Sequence, residues 1–157
     1  MGKVKLGDIV EIKTSVGLAY AIYTHVHEKP PKFGAIIRVF DQLFQTRPES
    51  FLELVAGPVR FVTFFPLRAA VSKELMSIVG NVGVPDSMKK FPIFRSGSIL
   101  DPETKRVSAW WLWDGIREWR VGQLSPEQRK LPIRGVWNDT LLVQRIEENW
   151  RPENDHR

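Results

Sequence analysis

Side chains able to do chemistry are scarce in this sequence, and the scarcity narrows what they can do. There are three histidines, His25, His27 and His156. His25 and His27 lie two apart on a strand-like segment, so their imidazoles project from one face. Two imidazoles on a face can ligate zinc when a third ligand arrives. With no cysteine in the chain, a carboxylate would have to complete the site. The plainer reading is a pair of partly exposed histidines near a strand end, and no metal is expected. A Ser–His–acid site would need His25 or His27, and no G-x-S-x-G elbow surrounds any serine. Asp8, Glu11, Asp41, Asp114 and Glu118 are available for two-carboxylate chemistry. Sequence alone brings no two of them to the separation of about 5–9 Å that glycoside hydrolysis uses. Gly80-Asn81-Val82-Gly83 ahead of Lys89 and Lys90 has the look of a backbone-clamping RNA loop, but it follows strand-like residues, so a strand-end turn accounts for it better. Asp8, after Gly7, reads as a local cap for backbone N–H groups. No P-loop or dinucleotide fingerprint occurs. The expectation is no enzyme, no catalytic residue and no cofactor.

The residues that could bind a macromolecule are concentrated elsewhere. Val107 to Leu124 holds four of the six tryptophans and a turn signal, Asp114-Gly115, between two strand-forming runs. A two-residue type I′ turn there predicts Trp113 opposite Ile116 and Trp111 opposite Glu118. Alternation then gives two faces. One carries Ser108, Trp110, Leu112, Trp119 and Val121 and reads as core. The other carries Trp111, Trp113, Ile116, Glu118 and Arg120, apolar near the turn and charged beyond it. Because Trp and Arg dominate binding hot spots, Trp111, Trp113, Glu118 and Arg120 are the candidate partner-binding residues. The competing account is a second packed face, covered by the C-terminal helix.

Composition fits an ordinary soluble globular protein, with 43% hydrophobic and 26% charged residues. The absence of cysteine fits the cytosol. The N-terminus, MGKVKLGDIVEI, passes from two lysines directly into alternation, so no signal peptide is evident. No stretch is long and apolar enough for a membrane span. The net charge of +5 is uneven: Lys89 to Arg134 carries ten Lys/Arg against five Asp/Glu. Basic residues beside exposed aromatics suit nucleic acid, which is the alternative function.

The elements that must position these residues read as follows. Asp8 to Lys13, Leu18 to Val26 and Gly34 to Asp41 are strands of an antiparallel meander. Leu43 to Gly57 suits a short helix or a single turn ended by Gly57. Val59 to Phe65 is apolar on both faces and is expected to be central in its sheet. Arg68 to Leu75 suits a turn of helix, Met76 to Val82 another strand, and Phe91 to Arg95 a short edge piece. Ser125-Pro126-Glu127-Gln128 is a capping box opening a helix of about two turns. Asn138 or Asp139 starts the last helix, with Leu142, Val143, Ile146 and Trp150 as its apolar stripe. The expected fold is α+β: a β-rich, mainly antiparallel, partly rolled or barrel-like sheet with a C-terminal helix. One domain is expected over residues 1–151, with 152–157 a flexible tail.

Gly7-Asp8-Ile9-Val10-Glu11-Ile12, Ala19-Tyr20-Ala21 and Val39-Phe40-Asp41 resemble the immunity protein 26 family of bacterial polymorphic toxin systems. Ile78-Val79-Gly80-Asn81, Pro92, Phe94, Lys130-Leu131-Pro132-Ile133, Val136-Trp137-Asn138 and Arg145 continue the likeness. The resemblance implies a small cytoplasmic protein that binds and neutralises a cognate toxin domain. It transfers no catalytic residue and no mapped toxin-facing motif. Inhibitors of basic nuclease toxins are expected to be acidic, so with the basic balance here either the partner is not a strongly basic nuclease, the preferred reading, or contact is made through a local acidic patch such as Glu147, Glu148, Glu153 and Asp155.

Overall fold

The structure, a computed structural model, describes residues 3–157. The chain forms two compact units: residues up to Lys90 together with Gly135–Asn149, and Phe91–Arg134 together with Trp150–Arg157. The fold is α+β with mainly antiparallel sheets, and the sheets are open rather than closed into a barrel.

The first unit holds a five-stranded sheet. Its strands are β1 (Asp8–Thr14), β2 (Gly17–His27), β3 (Gly34–Phe40), β4 (Val59–Phe64) and β5 (Ser77–Asn81), in the order β4-β3-β2-β1-β5. The meander of the first three strands is present. β1 pairs Ile9 with Ile22 and Glu11 with Tyr20, and β2 pairs Ala21 with Val39. These strands are buried on both faces. On one face Ile9, Tyr20, Ile22 and Phe40 pack with Leu54 of the short helix α1 (Leu52–Ala56) and with Phe44 and Phe51. Helix α2 (Leu67–Ser72) turns inward through Leu67 and Ala70. The C-terminal helix α3 (Asp139–Glu147) opens where expected: the Asn138 side chain accepts the Leu141 N–H at 2.8 Å. It buries Leu142 and Ile146, and its Glu147 accepts the Ser15 N–H at 2.7 Å beside β1.

β4 is not central. It ends the strand order, although its sequence is as apolar as an interior strand's. Its exposed edge is partly closed by chain outside any regular strand: Phe64 bridges to Val136, the Trp137 N–H bonds the Phe64 carbonyl at 3.1 Å, and the Trp137 ring lies 5.1 Å from Phe61. A strand covered by loop and indole needs the same apolar residues as one covered by neighbouring strands.

The second unit holds a three-stranded sheet, β6 (Phe94–Gly97), β7 (Trp110–Trp113) and β8 (Glu118–Gly122), in the order β6-β7-β8. The capping box forms reciprocally: the Gln128 N–H donates to Ser125 Oγ at 3.1 Å, and the Ser125 N–H to Gln128 Oε1 at 2.9 Å. It opens only a single 3-10 turn, Gln128–Lys130, because Pro132 blocks continuation. Residues of the expected flexible tail form another 3-10 turn, Pro152–Asn154, with Pro152 and Asp155 buried.

Candidate interaction surface

The Trp hairpin folds, but in a different register from the one the Asp-Gly signal predicts. Trp113 pairs with Glu118, Leu112 with Trp119 and Trp111 with Arg120. The two loop residues are Gly115 and Ile116, with Asp114 and Arg117 as the closing pair (Asp114 N–H to Arg117 carbonyl, 3.1 Å). Asp114 sits outside the loop because its carboxylate accepts the Ile116 and Arg117 N–H groups at 2.9 and 2.7 Å. Those two bonds hold its pKa below the usual carboxylate value. Gly115 takes φ +94° at the first loop position, as a type II′ loop requires. A Cβ there would also lie 2.8 Å from the Phe91 ring. Gly115→Ala should therefore cost about 1.5 kcal/mol of stability in a denaturant titration. An unchanged midpoint would show that the loop relaxes freely.

The shift is two residues, so the faces survive it. On one face lie Phe94, Ser96, Trp111, Trp113, Glu118 and Arg120, the set proposed for binding plus two residues of β6. The structure divides that set. Trp113 is only 7% exposed. Phe91 meets it edge-on at 5.8 Å, Phe94 lies at 5.7 Å, and the Arg134 guanidinium lies 5.2 Å above its ring. Trp111 remains 36% exposed, and Glu118 and Arg120 are exposed on the strand beside it. Arg134 Nη1 donates to Glu118 Oε2 at 2.7 Å and Nη2 to Ser96 Oγ at 3.0 Å.

The opposite face also differs from expectation. Trp110 and Leu112 are buried as core, with the Arg95 guanidinium 4.7 Å over the Trp110 ring. Trp119 shares that face yet is 38% exposed, because β8 is the outermost strand. Ile116 at the hairpin tip is 80% exposed. Sequence reasoning missed Trp119 and Arg134. A tryptophan on the last strand of a three-stranded sheet has neighbours on one side only, a signal that the strand order carries and composition does not.

The other candidates resolve into structural roles. His25 and His27 share a face but do not converge on a ligand set. His25 donates through Nε2 to the Lys89 carbonyl at 2.8 Å, and burial keeps its pKa below the ordinary imidazole value. Arg38 reaches the Met88 and Lys90 carbonyls from beside it, so the pair holds the loop around residues 86–90. His27 is buried between Phe33 and Phe64. Among the described residues no group of three His, Asp or Glu is arranged to hold a metal ion. Asp8 is buried and accepts the Lys5 N–H at 2.7 Å and the Asn81 amide at 2.9 Å, a cap joining β1 to β5. Gly83 accordingly serves a strand-end turn: the Asn81 side chain accepts its N–H. An open apolar groove of about 640 Å³ in the first unit is lined by Tyr23, Val26, Phe33 and Leu67, with Glu28 and Arg68 as its charged residues. Among the described residues no helix is long and apolar enough to cross a membrane.

No family model, curated protein or solved structure matches the chain.

Proposed function

We propose that this chain is an immunity protein: a stoichiometric inhibitor that acts in the cytoplasm by binding and neutralising a cognate toxin domain of a polymorphic toxin system. The carrying observation is Trp111, a half-exposed indole on a strand of the second unit, flanked by the exposed charges of Glu118 and Arg120. An indole held on a strand loses little entropy when a partner covers it, and Trp beside Arg is the composition of a hot spot. The sequence resemblance supplies the kind of partner.

Charge pairing favours this reading over nucleic acid. Of the ten cations between Lys89 and Arg134, Lys89, Arg117, Lys130 and Arg134 already face carboxylates, and Arg95 is wholly buried. That leaves less unpaired charge for phosphates than the sequence count suggests.

The test is titration calorimetry against a variable C-terminal domain of a large secreted protein, where the gene immediately upstream encodes one. Trp111→Ala should raise Kd by about tenfold or more while the melting temperature stays within about 2 °C of wild type. Trp113→Ala, in contrast, should lower the melting temperature, since it empties a packed site. An unchanged Kd for Trp111→Ala would remove this face from the interface. Steeply salt-dependent retention on oligonucleotide, with no toxin binding, would favour the nucleic-acid alternative instead.

A further inference from the structure

The second observation on this sheet is its open edge. β8 ends the order β6-β7-β8, and Glu118, Trp119 and Arg120 are all exposed. In an antiparallel pair, bonded and non-bonded residue pairs alternate. Asp114 and Arg117 form a bonded pair, so Glu118 opposite Trp113 is non-bonded, Trp119 opposite Leu112 is bonded, and Arg120 opposite Trp111 is non-bonded. The N–H and C=O groups of Glu118 and Arg120 therefore point away from β7, toward the edge.

We propose that this edge pairs with the same edge of a second copy of the chain, antiparallel and centred on Trp119, joining two three-stranded sheets into one of six strands. The sequence Glu118-Trp119-Arg120 is self-complementary under a two-fold axis. With Trp119 on the axis, Glu118 of each copy lies opposite Arg120 of the other. The four outward backbone groups of each strand then meet as two bonded pairs, giving four hydrogen bonds. The two Trp119 rings meet as the non-bonded pair, where side chains approach closest. The neighbouring symmetric registers, which also match outward groups to outward groups, place Glu118 opposite Glu118 or Arg120 opposite Arg120. Like charges directly opposite one another are unfavourable, so charge selects the Trp119-centred register.

Charged residues on an edge normally discourage association. Here they discourage the two neighbouring symmetric alignments and favour the Trp119-centred one. Arg134 Nη1 engages Oε2 of Glu118; Oε1 is the oxygen that the proposed pairing assigns to Arg120 of the second copy. Gly122, at φ +73°, and the register shift at Trp110/Trp111 end the ladder, so the interface is short and the association is of the weak, concentration-dependent class. Because the faces stay open, both copies present Trp111 on one side of the joined sheet. The inference does not rest on the toxin reading and is tested without any toxin.

Sedimentation equilibrium on the full chain, from about 10 μM to about 1 mM, should show mass rising from 18.1 kDa toward twice that value. Glu118→Arg or Arg120→Glu alone should weaken association by about tenfold or more. An equimolar mixture of the two variants should dimerise, because each then offers what the other lacks. The chain has no cysteine, so Trp119→Cys supplies one thiol on the axis. It should give a disulfide-linked dimer under mild oxidation, whereas Arg117→Cys, displaced from the axis, should not. This keeps the proposal testable even if a charge reversal disturbs folding. A constant monomer mass across the range, a dimer indifferent to both reversals, or equal cross-linking at 117 and 119 would each overturn it.

Discussion

Arg95→Ala should lower the folding free energy by about 4 kcal/mol, a severe loss for one side chain of a three-stranded unit. Arg95 is completely buried. Its Nη2 donates to the Pro152 carbonyl and its Nε to the Leu131 carbonyl at 3.3 Å, while the guanidinium plane lies 4.7 Å from the centre of the Trp110 ring. Burial pushes its pKa down to about 10, with Asp155 opposing that shift. A guanidinium without a contacting carboxylate is expensive to bury, but here it serves two backbone carbonyls that come from distant parts of the sequence. Alanine orphans the Leu131 carbonyl, leaves the Pro152 carbonyl with the Asp155 N–H alone, and opens a void over Trp110. Arg95→Met separates these effects: it refills the void and abolishes the desolvation cost, yet still removes the guanidinium's bonds to the two carbonyls. It should cost about half as much as alanine. Because Pro152 anchors the last residues, hydrogen exchange at the Asn154 and Asp155 amides should accelerate in both variants by more than global destabilisation explains. Equal stability for Arg95→Met and wild type would show that the carbonyl bonds contribute nothing net.

How much of this was legible beforehand depends on what fixes each feature. The meander was readable because β-branched and aromatic runs broken by Gly and Pro signal strands through local chemistry. The start of α3 was readable for the same reason, through the Asn138 cap. The position of β4 was not, since apolar faces report burial and not the identity of the cover. The hairpin register failed on a subtler point. Asp-Gly fits a type I′ loop, but an aspartate one position earlier can cap two N–H groups and leave the loop to Gly115-Ile116. The two alternatives differ by two residues, so the predicted faces were right while the predicted partners were wrong. Of the candidate site, Trp111, Glu118 and Arg120 are exposed on one face as expected. Trp113 is packed instead by Phe91, Phe94 and Arg134, whose convergence on it no local pattern announces.

Glu11→Ala should cost about 3 kcal/mol, chiefly because it strands a buried hydroxyl. Glu11 breaks the apolar run of β1, a departure visible in the sequence, and it is 5% exposed opposite Tyr20. The Tyr20 hydroxyl donates to its Oε2 at 2.7 Å, and Arg47 closes the group through Nε at 2.8 Å and Nη2 at 3.0 Å. Arg47 is largely solvent-exposed and can return to water, whereas Tyr20 is fully buried against Phe44 and Phe51 and cannot. The ionisation of the group follows the same geometry. The bond from Arg47 lowers the Glu11 pKa, against the opposing effect of burial. Burial, followed by the bond to Glu11, raises that of Tyr20. A lowered carboxyl contributes stability that is present above its unfolded pKa and is lost as pH falls through its folded one. A raised phenol contributes stability that is present below its unfolded pKa, near 10.0, and is lost as pH climbs beyond it. The stability–pH profile should therefore have an acid limb set partly by Glu11 and an alkaline limb set partly by Tyr20. Glu11→Gln should flatten the first and Tyr20→Phe the second, while Arg47→Ala should move the acid limb to higher pH. An acid limb unchanged in Glu11→Gln would mean that the carboxylate is as comfortable in the unfolded chain as beside Arg47.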